Sequence, residues 1–259
     1  MAHRGGVKLS ARIFMTFSDL LGPRLPMHGE PRWTGEESAA FDLYLQGEIG
    51  IPAILLMENA GQATACLALD QLEALNVPAE APILILAGPG NNGGDALVAA
   101  RGMHQASASP LIIWAPLGLP AEASSPAGLA RDAAATLGIA IHRDTTPPAC
   151  LQEAALILDG LFGVGLNRAL TGDAAAAVLA IDSAPGRVFA LDLPSGLHAD
   201  TGEILGVAPQ AQSTLSYIGV KHGLEAGDGP RLAGEVWTAS IGVAPPIAQD
   251  WLAKQRSRA

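Results

Sequence analysis

Charge is scarce in this 259-residue chain, and what there is leans one way. Only 15% of residues are Asp, Glu, Lys or Arg, with 15 basic against 25 acidic side chains and a formal net charge of −10. A nonspecific nucleic-acid binder needs Lys and Arg to neutralise phosphates, so that class is set aside. There are two cysteines, Cys66 and Cys150, and neither belongs to a CxxC pair. The six histidines (His3, His28, His104, His142, His198, His222) are scattered, so no zinc spacing is legible. Two isolated thiols suit the reducing cytoplasm. No apolar run reaches the roughly 18 residues of a membrane span, so no membrane role is expected. Hydrophobic residues nevertheless make up 49% of the chain, which excludes disorder as a whole-chain reading.

The first 17 residues carry His3, Arg4, Lys8 and Arg12 and no acid. Their apolar run is too short for a secretory signal, while the composition is compatible with an organelle transit peptide. Residues 1–33 read as a leader or arm. Thr34 with Glu37 forms a capping box ahead of a helix ending at Gly47–Gly50. A longer helix starts at Pro52. From Pro82 the rhythm changes to short continuous apolar runs, "PILILAG", "PLIIWAP", "AALILDG" and "RVFALD", separated by helical stretches. Such runs suit strands buried on both faces of a parallel sheet, with helices covering it. "STLSYIG" and "EVWTASIGV" read as later strands. Residues 34–243 form one domain on this reading, and 244–259 a C-terminal tail.

The stretch "GPGNNGGD", Gly88 to Asp95, follows the first strand and opens a helix. It matches G-x-G-x-x-G, but a dinucleotide fingerprint also wants an acid at the end of the next strand, and that strand ends in Trp114-Ala115-Pro116. A Walker loop wants G-K-[ST], and the lysine is missing. What survives is geometry: glycines permit close approach, and a helix start offers N–H groups to an anion. Asp95 is expected to anchor the first helical turn and to bond to loop or ligand donors.

Asp159 and Asp192 end two further strands, and Ser195 lies in the turn after Asp192. Ligands in open parallel sheets bind outside the carboxyl ends of the strands, so these groups should share one edge with the glycine loop. Carboxylates, an asparagine and a hydroxyl are hard ligands, suited to a hard cation. The glycine-rich segment between them carries Arg168, which could meet a phosphate.

In their order, "LLMENAG", "GPGNNGGDALVAAR", "LDGLFGVGLNRALTG", "ALDLPSGLHADTG" and "YIGVKHGLEAGDGPRLAG" resemble the NAD(P)H-hydrate epimerase family, from about Thr34 to Val243. The resemblance implies an α/β fold, a Rossmann-like three-layer αβα sandwich with a mostly parallel central sheet, as a homodimer. It implies interconversion of R and S hydrated NADH or NADPH, so that a separate S-specific, ADP- or ATP-dependent dehydratase can restore the nucleotide. The nucleotide is then substrate and not redox cofactor. It further implies one potassium ion per subunit on Asn92, Asp159 and Ser195. Substrate would be held by Asn91, Asn92, Gly93, Gly94 and Asp95, by Gly163, Val164, Gly165, Leu166, Asn167, Arg168 and Ala169, and by Asp192. The C6 hydroxyl sits beside the ring nitrogen, so it can leave to give an iminium, or the ring can open to an aldehyde. Both routes need proton transfer at oxygen. Asp192 is the expected acid/base and Lys221 the second candidate. The alternative reading is a non-catalytic nucleotide-binding scaffold on the same fold, which would not need these residues intact.

Overall fold

The computed structural model describes residues 31–74, 77–78 and 80–258; residues 1–30 of the expected leader lie outside that range. Helices α1 (Gly35–Gly47) and α2 (Ala53–Ala74) precede the sheet. The remaining order is β1 (Ile83–Ala87), α3 (Asn91–Ala106), β2 (Leu111–Trp114), α4 (Pro126–Thr136), β3 (Ala140–His142) and β4 (Leu156–Gly160). After these come α5 (Gly172–Asp182), β5 (Arg187–Leu191), β6 (Ser213–Tyr217), α6 (Gly229–Leu232), β7 (Glu235–Ala239) and α7 (Pro245–Arg256). The seven strands form one sheet in the order β3-β2-β1-β4-β5-β6-β7, and every pair is parallel.

The helix starts follow local chemistry. Thr34 Oγ1 accepts the Glu37 N–H at 3.0 Å while Glu37 accepts the Thr34 N–H at 2.8 Å, so both halves of the capping box close. Ser125 caps α4 ahead of Pro126 in the first turn. The strands are buried along β1 and β4, because alternate residues enter different layers. Ile83, Ile85, Leu156 and Leu158 pack with α1 to α4, whereas Leu84, Leu86 and Ile157 pack with α5. The strand order reverses between β1 and β4, and right-handed crossovers therefore put α3 and α5 on opposite faces. The crevice at that switch point is where the site forms.

The segment read from sequence as a tail holds α7. Ala248, Trp251 and Leu252 are buried at i, i+3, i+4 spacing. Trp251 stacks on Trp33 with ring centroids 6.0 Å apart and meets Phe41 at 5.0 Å. Arg256 Nε donates to Glu37 Oε1 at 2.7 Å, tying α7 to α1. Trp251→Ala is expected to lower the unfolding free energy by about 3 kcal/mol, the usual cost of emptying a large aromatic site. Urea unfolding measures it, and a loss under about 1 kcal/mol would mean that α7 is not part of the core.

Candidate active site

A cleft of about 700 Å³ opens at the carboxyl ends of the strands. Pro89, Gly90, Asn91, Asn92 and Asp95 line it after β1, and residues 161–168 after β4. Asp192 enters after β5, Tyr217, Ile218 and Lys221 from the end of β6, and Ile241 after β7. Helices α1 and α2 close the far side through Ser38, Asp42, Gln46, Leu56 and Met57. The strand-end residues singled out from sequence do converge on one edge.

The glycine loop works by close approach. A Cβ on Gly88 would lie 2.0 Å from the Leu161 carbonyl, and one on Gly93 would lie 1.8 Å from the Gly88 carbonyl. No side chain fits at either position. Gly90 is the N-cap of α3, and the helical ladder starts with Gly94 N–H donating to the Gly90 carbonyl at 3.1 Å. The N–H groups of Asn91, Asn92 and Gly93 precede that bond, at the positive end of the helix dipole. Gly93 and Gly94 are themselves buried and, with Ala169, are not among the cleft-lining residues. A Cβ on Gly94 would strike Met57 and Ala127, so its role is packing between α2, α3 and α4.

The expectation for Asp95 needs correcting. The helix begins at Asn91, so Asp95 stands in its second turn and caps nothing. Its carboxyl is half-buried and faces the cleft. Burial, reinforced by the Asp192 and Asp42 carboxylates and only partly offset by Lys221, pushes its pKa well above the usual carboxylate range.

Beneath the cleft, Asp159 and Ser195 are fully buried. Asp159 Oδ1 accepts the Ser195 hydroxyl at 2.6 Å, and Oδ2 accepts the Ser195 N–H at 2.8 Å. Ser195 Oγ in turn accepts the Phe162 N–H at 2.9 Å. No cationic side chain contributes to Asp159, and burial raises its pKa to about 6 despite the Ser195 and Leu161 donors. Asn92 donates through Nδ2 to the Leu191 carbonyl at 3.3 Å. A Cβ on Gly163 would sit 3.3 Å from Asn92 Oδ1 and 3.1 Å from Asp192 Oδ2, so these groups crowd one backbone turn. Among the described residues no three His, Cys, Asp or Glu side chains are grouped closely enough to hold a metal ion. Any cation here would have to rest on one carboxylate and neutral oxygens.

Asp192 and Lys221 are the strongest pair in the cleft. Lys221 Nζ donates to Asp192 Oδ1 at 2.5 Å and to the Tyr217 carbonyl at 2.7 Å, with side-chain exposures of 2% and 8% for the lysine and the aspartate. The Val164 and Tyr217 N–H groups donate to Asp192 Oδ2 and Oδ1, both at 3.4 Å. Asp192 lies one residue past β5 with φ of 66°, and Ile218 one past β6 with φ of 72°. A β-branched residue there is strained, and such strain persists only where the surroundings impose it. Both turns bring functional groups to the cleft.

Sequence reasoning missed Asp42, Tyr217 and Thr64. Tyr217 Oη and Thr64 Oγ1 are 2.8 Å apart, and burial with the Asp95 carboxylate pushes the phenol well above its usual range. Asp42 lies in α1 between buried Phe41 and Leu45. An acid adjoining the apolar face of an amphipathic helix was the available signal. Among the described residues, Asp42 Oδ1 is buried without a hydrogen-bond partner. Burial raises this carboxyl to about 6, with Lys221 lowering it and Asp192 raising it. Between pH 4 and 6 the unfolded chain therefore releases this proton while the folded chain keeps it, so stability is lost as pH rises through that window and the loss is complete above it. Asp42→Asn should be more stable than the wild type at pH 8 by up to about 3 kcal/mol, with the gap shrinking towards pH 4. Urea unfolding at both pH values checks this, and a gap independent of pH would refute it.

Comparison with known proteins fits this geometry. A family described as "YjeF-related protein N-terminus" matches residues 53–223. An NAD(P)H-hydrate epimerase of Limosilactobacillus reuteri is 36% identical over 207 residues, covering 80% of this chain and 93% of that protein. One from Levilactobacillus brevis is 36% identical over 214 residues, 83% and 94% of the two chains. A bifunctional NAD(P)H-hydrate repair enzyme of Salinibacter ruber is 34% identical over 245 residues, 87% of this chain but 43% of the longer protein. The crystal structure of yeast ynu0 superposes with a TM-score of 0.68 at 19% identity, covering 83% of this chain and 95% of that one. It shares the fold. With this much of both chains aligned, the protein belongs to the NAD(P)H-hydrate epimerase family, the YjeF N-terminal domain.

Proposed function

We propose that this protein is an NAD(P)H-hydrate epimerase, an isomerase that interconverts the R and S forms of hydrated NADH and NADPH. The observation that carries the reading is the cleft: it joins a helix N-terminus built for an anion to a buried Asp192–Lys221 pair, in a chain of which 80% aligns with 93% of a curated epimerase. The N–H groups at the start of α3 suit the diphosphate. Asn167 and Arg168 line the same cleft and can bind phosphate or ribose. The reacting ring then falls toward Asp192.

Asp192 acts as acid/base at the C6 hydroxyl oxygen. Lys221 orients that carboxylate and balances its charge, and the Val164 N–H couples it to the loop that covers the substrate. No hydride moves, so the nucleotide is substrate only. Asn92, Asp159, Asp192 and Ser195 are all intact, which favours the enzyme over a scaffold that would not need them.

The residues present fit a potassium ion. Asp159 is a buried carboxylate without a cationic partner, Ser195 Oγ lies 2.6 Å from it, and Asn92 Oδ1 faces the Gly163 turn of the loop that follows β4. A bound ion would supply positive charge to offset the surplus of carboxylates. The reading extends to a homodimer that feeds an S-specific, ADP- or ATP-dependent dehydratase. The bifunctional name of the Salinibacter ruber relative supports that partnership. No helix among the described residues is long and apolar enough to cross a membrane. The free thiols Cys66 and Cys150 suit the cytoplasm.

Adding the protein to R-hydrated NADPH with an S-specific dehydratase should accelerate loss of the R form. Asp192→Asn should slow that loss by about 100-fold or more, the usual range for an acid/base group. An unchanged rate with wild-type protein would sink the assignment. Potassium should raise the melting temperature more than an equal concentration of a bulky organic cation, and more at pH 8 than at pH 5, where Asp159 keeps its proton. Equal effects of the two salts would remove the ion.

A further inference from the structure

The structure holds a carboxyl group that neither the fold nor the Asp192–Lys221 pair uses. Asp42 lies on α1, ahead of the segment matched by the family description. Among the described residues its Oδ1 is buried without a hydrogen-bond partner. Buried carboxylate oxygens are almost always satisfied, and an orphan facing a cleft calls for a ligand. Asp192 is differently placed: Lys221 and two N–H groups occupy its oxygens. The two carboxyls come from elements far apart in sequence, yet both line the cleft, and the charges of Asp192 and Lys221 act on Asp42. Asp95 completes the cluster, and burial favours its protonated form, which suits a hydrogen-bond donor.

We propose, resting on the epimerase reading, that Asp42 is a second catalytic residue, sharing proton transfer at the C6 oxygen with Asp192. Inversion at C6 through an iminium needs a donor where hydroxyl departs and an acceptor where water returns. In one direction Asp42 gives its proton to the C6 hydroxyl. The C6–O bond breaks with its electron pair on oxygen, which leaves as water, while the ring-nitrogen lone pair forms the C=N⁺ bond. A water molecule adds to C6 from the opposite face, its oxygen supplying the new bond pair and the C=N⁺ π pair returning to nitrogen. Asp192 takes the surplus proton, and the reverse direction exchanges the two roles. No net charge or electron is gained or lost. Asp42, Asp95 and Asp192 line the cleft with Lys221, and once Asp42 has given up its proton the added negative charge stabilises a transient cation there. Ring opening to an aldehyde creates no such cation.

The test uses R-hydrated NADPH with purified wild-type, Asp42→Asn and Asp42→Ala proteins in water enriched in oxygen-18. Wild-type turnover should place one solvent oxygen at C6 per inversion. Both variants should lose about 100-fold or more in kcat with KM within about threefold of wild type. Wild-type kcat/KM should fall as pH rises through about 6, where Asp42 loses its proton facing Asp192, Asp95 and Lys221, and that limb should vanish in Asp42→Asn. The melting temperature of Asp42→Asn should equal or exceed the wild-type value, which separates catalysis from folding. Variants with kcat within about threefold of an active wild type overturn this proposal alone. Retention of the original C6 oxygen does so too, by showing ring opening. A wild type that leaves the R form untouched overturns the epimerase reading and this proposal with it.

Discussion

A lysine and an aspartate almost wholly withdrawn from water organise this molecule. Lys221 and Asp192 meet at 2.5 Å with hardly any exposure. Removing either partner would strand the other at a cost of roughly 3–5 kcal/mol, so every element that positions them is constrained. Asp192 takes a left-handed backbone conformation one residue past β5, and Ile218 does the same past β6. These turns aim adjacent parallel strands at one point. The lysine is held from behind as well: the Trp33 N–H donates to the Val220 carbonyl at 2.9 Å, and the His222 N–H donates to the Trp33 carbonyl at 3.0 Å. Trp33 then stacks on Trp251 of α7. A single line of contacts thus runs from the C-terminal helix to the reactive carboxylate.

Around that pair the cleft follows from the rules of a parallel sheet. Reversal of strand order between β1 and β4 leaves a crevice that no helix fills. Gly88 and Gly93 let the backbones of the β1 and β4 loops touch, which brings the α3 N-terminus and the residue 161–168 loop together. The charge balance is the unusual part. Three aspartates and one lysine share a partly desolvated space, and two of the acids have their pKa values raised by burial. A site of this kind sets carboxyls whose burial favours the protonated form beside one held in an ion pair, which suits proton transfer at a carbinolamine oxygen.

Much of this was legible in residue order. Apolar runs bounded by turn residues located the strands, and the Thr34–Glu37 box and Ser125–Pro126 start located two helix caps, because each depends on contacts within a few residues. Parallel topology alone places Asp159, Asp192 and the glycine loop on one edge. Asp95 was misread because its distance from the glycine loop suggested a first-turn cap, whereas the helix starts earlier and turns the carboxyl toward the cleft. The residue 245–256 helix looked like a tail, though Ala248, Trp251 and Leu252 already carry a helical period.

Local chemistry and periodicity therefore set the α/β layering, the caps and the edge on which a ligand must bind, since those follow from hydrogen bonds and burial along short stretches of chain. Which carboxyls lose water, and which find a partner, depended on long-range packing. Asp42 and Asp192 are 150 residues apart in the chain, and nothing in either neighbourhood reveals that they share a cleft with Lys221. Desolvation and Coulomb interactions act through space. The division into a locked ion pair, an Asp95 whose burial favours its protonated form and an unpartnered Asp42 Oδ1 arises only once the sheet and α1 close around them.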